Sequence, residues 1–387
     1  MGSPRGFSPR FWALIGATFL GFVGMGTVLP ELAPHVGNDL GGSDRTIGFV
    51  IGIFSVVALA GRLVSGPVAD NKGRKIAFLT GLASCTLAGA IYLLPFGITG
   101  IWVARCFQGL GEACLYTGAA AWAVELAGTE RSAQALGYLS SGIWGGLSAG
   151  PVVGSWLGTF QRAAVCQALA GAAGFLILMR VPEHFTPHHE NRGFRWPSRS
   201  LLMPGLAVGF VNVHYPVITG FLVLHLAHYG NSGLAAFTAY AGAMLCSRFF
   251  LGSLPDRVHP RVTFYFGITA MAVALLAIAS GPRPAVAVAA AGLLGLGFSF
   301  PFSSIASVVM RRSANHERGV AVGTLSAFYD FFVGTGSFAA GSVATHFGYS
   351  ATFVMAAAAL IASAFLGWYV LPAEEGPMAS PAVSCEV

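Results

Sequence analysis

Twelve long apolar runs leave this chain few ways to fold. They lie near 11–35, 46–67, 76–97, 100–126, 133–157, 163–181, 201–228, 233–254, 262–280, 284–310, 320–345 and 349–371. Most are close to the roughly 20 residues that a helix needs to cross a hydrocarbon layer of about 30 Å. The composition agrees. With 55% hydrophobic residues, only 9% charged and a mean hydropathy of +0.70, the chain has too little polar surface to cover a water-soluble globule of 387 residues. Lipid is therefore the expected solvent. A backbone in lipid must satisfy its own hydrogen bonds, which restricts the choice to helices or a closed barrel. The short alternating segments of a barrel do not occur in the sequence. The expected fold class is an all-α membrane protein of twelve transmembrane helices, and the 52 glycines favour close helix approach in lipid.

The basic residues predict an orientation. Between the runs, one side collects Arg5, Arg10, Lys72, Arg74, Lys75, Arg131, Arg180, Arg192, Arg195, Arg199, Arg257, Arg261, Arg311, Arg312 and Arg318, while the other holds Arg45, Arg162 and Arg283. An excess of 15 over 3 places both termini and the 182–199 connection in the cytoplasm. The net charge of +6 is then a matter of topology, and no nucleic-acid partner is expected. Arg62, Arg105 and Arg248 remain inside apolar runs. The six cysteines contain no C-x-x-C pair and read as small buried side chains, and the first apolar run lacks an A-x-A-like cleavage site, so it is expected to be retained.

The sequence also repeats. Aligned at an offset of 186, Arg62 falls on Arg248, Gly66 on Gly252, Asp70 on Asp256 and Lys75 on Arg261; at 187, Glu130-Arg131 falls on Glu317-Arg318. A duplicated six-helix unit explains both anchors. The expected organisation is a six-helix bundle over 1–181, a linker over 182–199, a second bundle over 200–371 and a tail over 372–387. The linker carries His184, His188 and His189, read as solvated loop rather than a metal site, and no metal or cofactor is expected.

The ten residues from Gly66 to Lys75, with Asp70, Gly73 and Arg74 between, resemble the G-x-x-x-D-x-x-G-R-K signature of the major facilitator superfamily. The likeness extends over nearly the whole chain and is closest to twelve-helix drug or metabolite:proton antiporters. Asn71 departs from the usual basic residue, and the second copy lacks the Gly-Arg pair. The two glycines suit a tight turn, and Asp70 suits the positive end of a neighbouring helix. The resemblance implies that this neighbour is the eleventh span, that Glu125 pairs with Arg74, and that such contacts latch the outward-open state.

Arg105-Cys-Phe-Gln108-Gly-Leu-Gly111 resembles the family's R-x-x-Q-G-x-G motif, whose Arg is implicated in proton coupling. Arg105, Gln108 and Glu112 share one helical face, with Glu112 as a titrating partner or a structural ion pair. Gly146, Gly150, Pro151 and Gly154 match the G-x-x-x-G-P-x-x-G pattern that the family associates with antiporters. Physically they form a small-residue groove with a missing backbone donor. Gly24 to Glu31 resembles a P-x-x-P segment of drug–proton antiporters with Thr27 for the first Pro, and Glu31 either guides cations at the outer mouth or is simply solvated there.

Ionisable groups within the membrane are functional candidates by default. Asp330 lies deep in the eleventh run and is either a coupling carboxylate or a helix-pinning group. By the resemblance, the first, fourth, seventh and tenth helices line a cavity, which makes Asn212, His214, Tyr215, Phe298 and Phe302 substrate contacts, together with Phe107, Trp144 and Gln108. Proton-coupled export of a small organic compound across the cytoplasmic membrane is the expected function, with proton-linked uptake of a metabolite as the alternative. The expected partners are the bilayer, the substrate and protons, with the chain acting as a monomer. No P-loop, G-x-S-x-G or H-E-x-x-H motif points to an enzyme.

Overall fold

The computed structural model describes residues 7–128, 131–183, 199–230, 233–251, 258–313 and 318–372. The side chain of Asp70, residue Asp256, the linker histidines, most of the linker and the tail from 373 lie outside the described residues. The described chain is helical throughout, and twelve spans form two six-helix bundles. The first span runs Pro9–Thr27, continues as Leu29–Pro34 and ends in a π-helical turn, His35–Asp39. The next five are Asp44–Lys72, Arg74–Tyr92, Gly97–Ala127, Ser132–Leu157 and Phe160–Met179. The seventh is broken at Val213 into Leu202–Asn212 and His214–His228, and the tenth into Pro284–Phe298 and Pro301–Arg312. Gly233–Leu251, Pro260–Ala279, Arg318–Phe347 and Tyr349–Val370 are the eighth, ninth, eleventh and twelfth. Eight of the spans are long and apolar enough to cross a membrane on length and composition alone. The fourth, fifth, eighth and eleventh make up the rest, and two of these carry the buried charges Arg105 and Asp330.

Small residues set the packing inside the first bundle. A Cβ on Gly150 would lie 2.5 Å from the Val23 carbonyl oxygen, and one on Gly146 2.6 Å from that of Phe19. One on Gly154 would overlap the Thr27 carbonyl oxygen. The Gly-Pro stretch of the fifth span is thus the face that seats the first span, with Pro151 against Gly26. Gly81, Gly111 and Gly118 do the same between the third and fourth spans.

The bundles meet at the end that the charge pattern assigns to the outside, here called the outer end. A Cβ on Gly48 would stand 2.6 Å from the Ser337 carbonyl oxygen and 3.0 Å from the Gly341 Cα, so the second and eleventh spans touch through backbone. Ser337 Oγ donates to the Gly48 carbonyl at 2.6 Å. Beside this seam, Tyr349 donates to Asp44 at 3.0 Å, and Arg45 donates to His346 Nε2 at 2.7 Å.

The signature stretch differs from the expected loop. The second helix continues through Gly66 to Lys72, and nothing would touch a Cβ on Gly66. Only Gly73 turns the chain, at φ +113°, where a side chain is strained. Glu183, just past the sixth span, accepts the backbone N–H groups of Arg74 and Lys75 at 2.8 and 3.1 Å. It caps the third helix from another helix's end, where a carboxylate also meets the positive pole. Lys75 Nζ returns the contact by donating to the carbonyls of Met179 and Val181. Arg74 pairs with Glu125 as expected. Both partners belong to the first bundle, however, so the pair braces that bundle and does not itself join the halves.

Candidate functional site

A cavity opens between the bundles below the outer seam. Its walls come from the first, second, fourth, fifth, seventh, tenth and eleventh spans. At its centre Arg62, from the second span, holds two carboxylates. Nε donates to Asp330 Oδ2 at 2.9 Å, and Nη2 donates to Glu112 at 3.0 and 3.3 Å. Asp330 is 4% exposed and sits on the eleventh span of the other bundle, about 18 Å along its helix from Arg318. The triad therefore crosses from one half to the other. Its charge does not balance, since one guanidinium faces two acids and leaves a surplus negative charge when both are ionised. The Tyr116 ring lies 4.7 Å from the guanidinium carbon and covers the charge from one side.

Glu112 was expected to act with Arg105, seven residues before it, but its partner is Arg62. The fourth helix climbs about 10 Å between the two positions, and Arg105 is already engaged. It donates to the carbonyls of Val50 and Ile51 at 3.0 and 3.2 Å and to Gln108 Oε1 at 2.5 Å, with Phe54 stacked at 4.5 Å. Gln108 passes the network on, donating to the Met25 carbonyl and to Gln167, each at 3.2 Å, and accepting from Tyr92. Arg105 is thus a buried cation satisfied by neutral acceptors that tie the first, second, third, fourth and sixth spans together. Such acceptors satisfy its N–H groups without cancelling its charge.

Of the expected cavity residues, Gln108, Trp144, Tyr215 and Phe302 line the space, and Arg105, Glu112 and Asp330 stand in it. Asn212 and His214 do not. Both are fully buried beside the break in the seventh span, where Asn212 donates to the Val208 carbonyl and His214 Nδ1 donates to that of Val211, each at 2.7 Å. Asn212 Nδ2 and His214 Nδ1 are thus spent on carbonyls of the same span next to the break, and His214 Nε2 faces the Tyr240 hydroxyl at 3.4 Å. Phe298 packs against His214 at 4.6 Å between ring centroids, and Phe107 packs against the apolar core; neither reaches the cavity wall. Glu31 stays at the outer end of the first span, half-buried, with Oε1 unpartnered among the described residues.

The residues not singled out beforehand are informative. In the sequence Arg62 is a basic residue within a span and the repeat mate of Arg248; no property of the sequence points to acids 50 and 268 positions away. Ser55, Tyr116, Thr219, Ser326 and Tyr329 add hydroxyls to the wall. Ser326 alone has a local signal, since it lies four residues before Asp330 and so shares its helical face.

The family model of the Major Facilitator Superfamily matches residues 14–279 and 215–384. The chain belongs to this superfamily. Among its relatives, an uncharacterised MFS-type transporter of Salmonella typhimurium is 26% identical over 372 residues, covering 92% of this chain and 95% of the relative. One from Burkholderia mallei is 27% identical over 371 residues, with 92% and 90% covered. Among solved structures, a D-xylose-proton symporter superposes with a TM-score of 0.77 at 14% identity over 93% of this chain and 98% of the other. A bacterial homologue of the human lysosomal transporter Spinster gives 0.72 at 15%, over 94% and 97%. These likenesses establish the facilitator fold. This superfamily member is a multi-pass transporter, and its central cavity is where the two halves present their polar groups to each other.

Proposed function

We propose that this facilitator exports a small, amphipathic organic compound across the cytoplasmic membrane in exchange for protons, by rocking its two halves about the central cavity. The observation that carries the proposal is the Arg62–Glu112–Asp330 triad. A proton on either acid cancels the surplus charge and weakens the hold of Arg62, and Asp330 is the member on the opposite half. Protonation and the relation of the halves are therefore coupled through one side chain. The aromatic wall of Trp144, Phe302 and Tyr329 supports an amphipathic substrate. Export is favoured by the resemblance of Gly146, Gly150, Pro151 and Gly154 to the pattern that the family associates with antiporters. Both termini are assigned to the cytoplasm on the charge pattern.

Uptake is the alternative, since the fold is shared with a D-xylose-proton symporter. A substrate panel in proteoliposomes under an imposed pH gradient separates the two. An exchanger accumulates substrate in the compartment from which protons leave, and releases protons when substrate is added at zero gradient. Asp330→Asn and Glu112→Gln should each abolish coupling while the protein still inserts. Wild-type coupling in both variants would remove the triad from the mechanism, and proton uptake on substrate addition would replace exchange by co-transport.

A further inference from the structure

Arg62 and Arg248 occupy equivalent places in the two halves, 186 residues apart, and their surroundings are opposite. Arg62 has two carboxylates. Arg248, in the eighth span, donates no hydrogen bond and meets no acid among the described residues, and its buried Nε has no partner. Its guanidinium carbon stacks 4.3 Å over the Trp144 ring and 5.8 Å from that of Phe298. The titratable groups that act on it are the phenols of Tyr329 and Tyr240. Trp144 and Tyr329 are themselves cavity wall, 6.1 Å apart between ring centroids. The uncompensated cation thus stands directly behind the aromatic face of the cavity.

Ring faces offset only part of the cost of taking a guanidinium out of water. The charges around the cavity lead to the same point. Arg62, Arg105 and Arg248 supply three positive charges, and Glu112 and Asp330 two negative ones, which leaves one positive charge with both acids ionised. One bound monoanion makes the set neutral. That occupancy, anion bound and triad unprotonated, is also the one an exchanger needs on its outward stroke.

We infer that Arg248 is the anion-binding residue of the cavity and that the transported compound is a small organic monoanion. Its acidic group lies on the side of the cavity that Arg248 backs through Trp144, and its apolar part lies against Phe302 and Tyr329. The inference rests on the reading of the cavity as the transport site, and it names the class of compound that the site takes.

The test is binding by purified protein in nanodiscs at pH 7.5, without a gradient. Melting shifts and tryptophan fluorescence are read against matched sets of carboxylic acid, primary amide and amine on common skeletons, with benzoate, benzamide and benzylamine as one set. At least one acid should raise the melting temperature where its amide and amine do not. Arg248→Gln should weaken that acid at least tenfold, and Arg248→Lys should retain part of the affinity. If Arg248→Gln does not fold, a tenfold loss in Arg248→Lys carries the comparison. A panel in which no acid exceeds its amide overturns the inference, as does wild-type affinity in the Arg248 variant that folds. Acid binding that depends on Arg248, with no flux in proteoliposomes, would refute the transport reading and leave the site standing.

Discussion

Replacing Arg62 by glutamine isolates the energetics of the triad. Glutamine keeps much of the side-chain length and removes the cation, leaving Glu112 and Asp330 to face each other with side-chain exposures of only 13% and 5%. Removing one member of a buried ionic cluster costs about 3–5 kcal/mol, because the remaining charge stays buried without compensation. At roughly 2 °C per kcal/mol for a chain of this size, the apparent melting temperature at pH 8 should fall by roughly 6–10 °C. The sign of the pH effect follows from the proton count. In the variant, both carboxylates lose their cation, so the folded state gains by binding protons and the deficit shrinks as the pH falls from 8 to 5. The double variant Arg62→Gln/Asp330→Asn leaves one carboxylate and should recover at least half of the loss at pH 8. The assay is intrinsic-fluorescence melting of the detergent-purified protein at both pH values. A loss under 2 °C at pH 8, an equal loss at pH 5, or no recovery in the double variant would show that the three groups are not energetically coupled.

Three further outcomes test the packing and the gate. Gly150→Val forces a branched side chain onto the Val23 carbonyl and should cost about 1–3 kcal/mol, seen as a lower melting temperature; an unchanged value would contradict the close first-to-fifth contact. Tyr349→Phe together with Arg45→Gln removes the two polar ties beside the outer seam and leaves the Ser337–Gly48 bond, so a cysteine placed at Ser55 in the cavity should react several-fold faster with an impermeant reagent added outside; an unchanged rate would show that these two ties do not hold the seam. Glu183→Gln weakens the cap of the third helix and should cost about 0.5–2 kcal/mol in melting, with Glu183→Ala at the upper end; equal stability of all three proteins would remove the cap from the account.

The spans were legible because lipid imposes one rule along the whole chain, and length and apolarity follow it residue by residue. The glycine stripe of the fifth span was legible for a related reason: small residues at four-residue spacing have one use in lipid, and the structure fills that groove with the first span. Partner choice was not. Arg62 joins residues from three helices in two halves, and no local pattern encodes a contact over 268 positions. Asn212 and His214 were misplaced because the seventh helix breaks at Val213, before Pro216, and a break supplies local carbonyls that a polar side chain beside it can satisfy. Gly66 belonged to a recognised stretch, yet only Gly73 makes the turn, since helix propagation runs on until a positive φ is required.

The uneven charge of the triad gives the two strokes of the cycle different electrical character. A stroke made with a proton on Asp330 or Glu112 carries one more positive charge than the same stroke without it. One elementary charge moved through the full membrane potential is worth about 2.3 kcal/mol per 100 mV. A resting potential therefore biases the protonated and unprotonated strokes by different amounts, in addition to any pH gradient. Turnover of this transporter should respond to voltage at fixed pH, and Asp330→Asn, whose triad is neutral, should lose the proton-dependent part of that response.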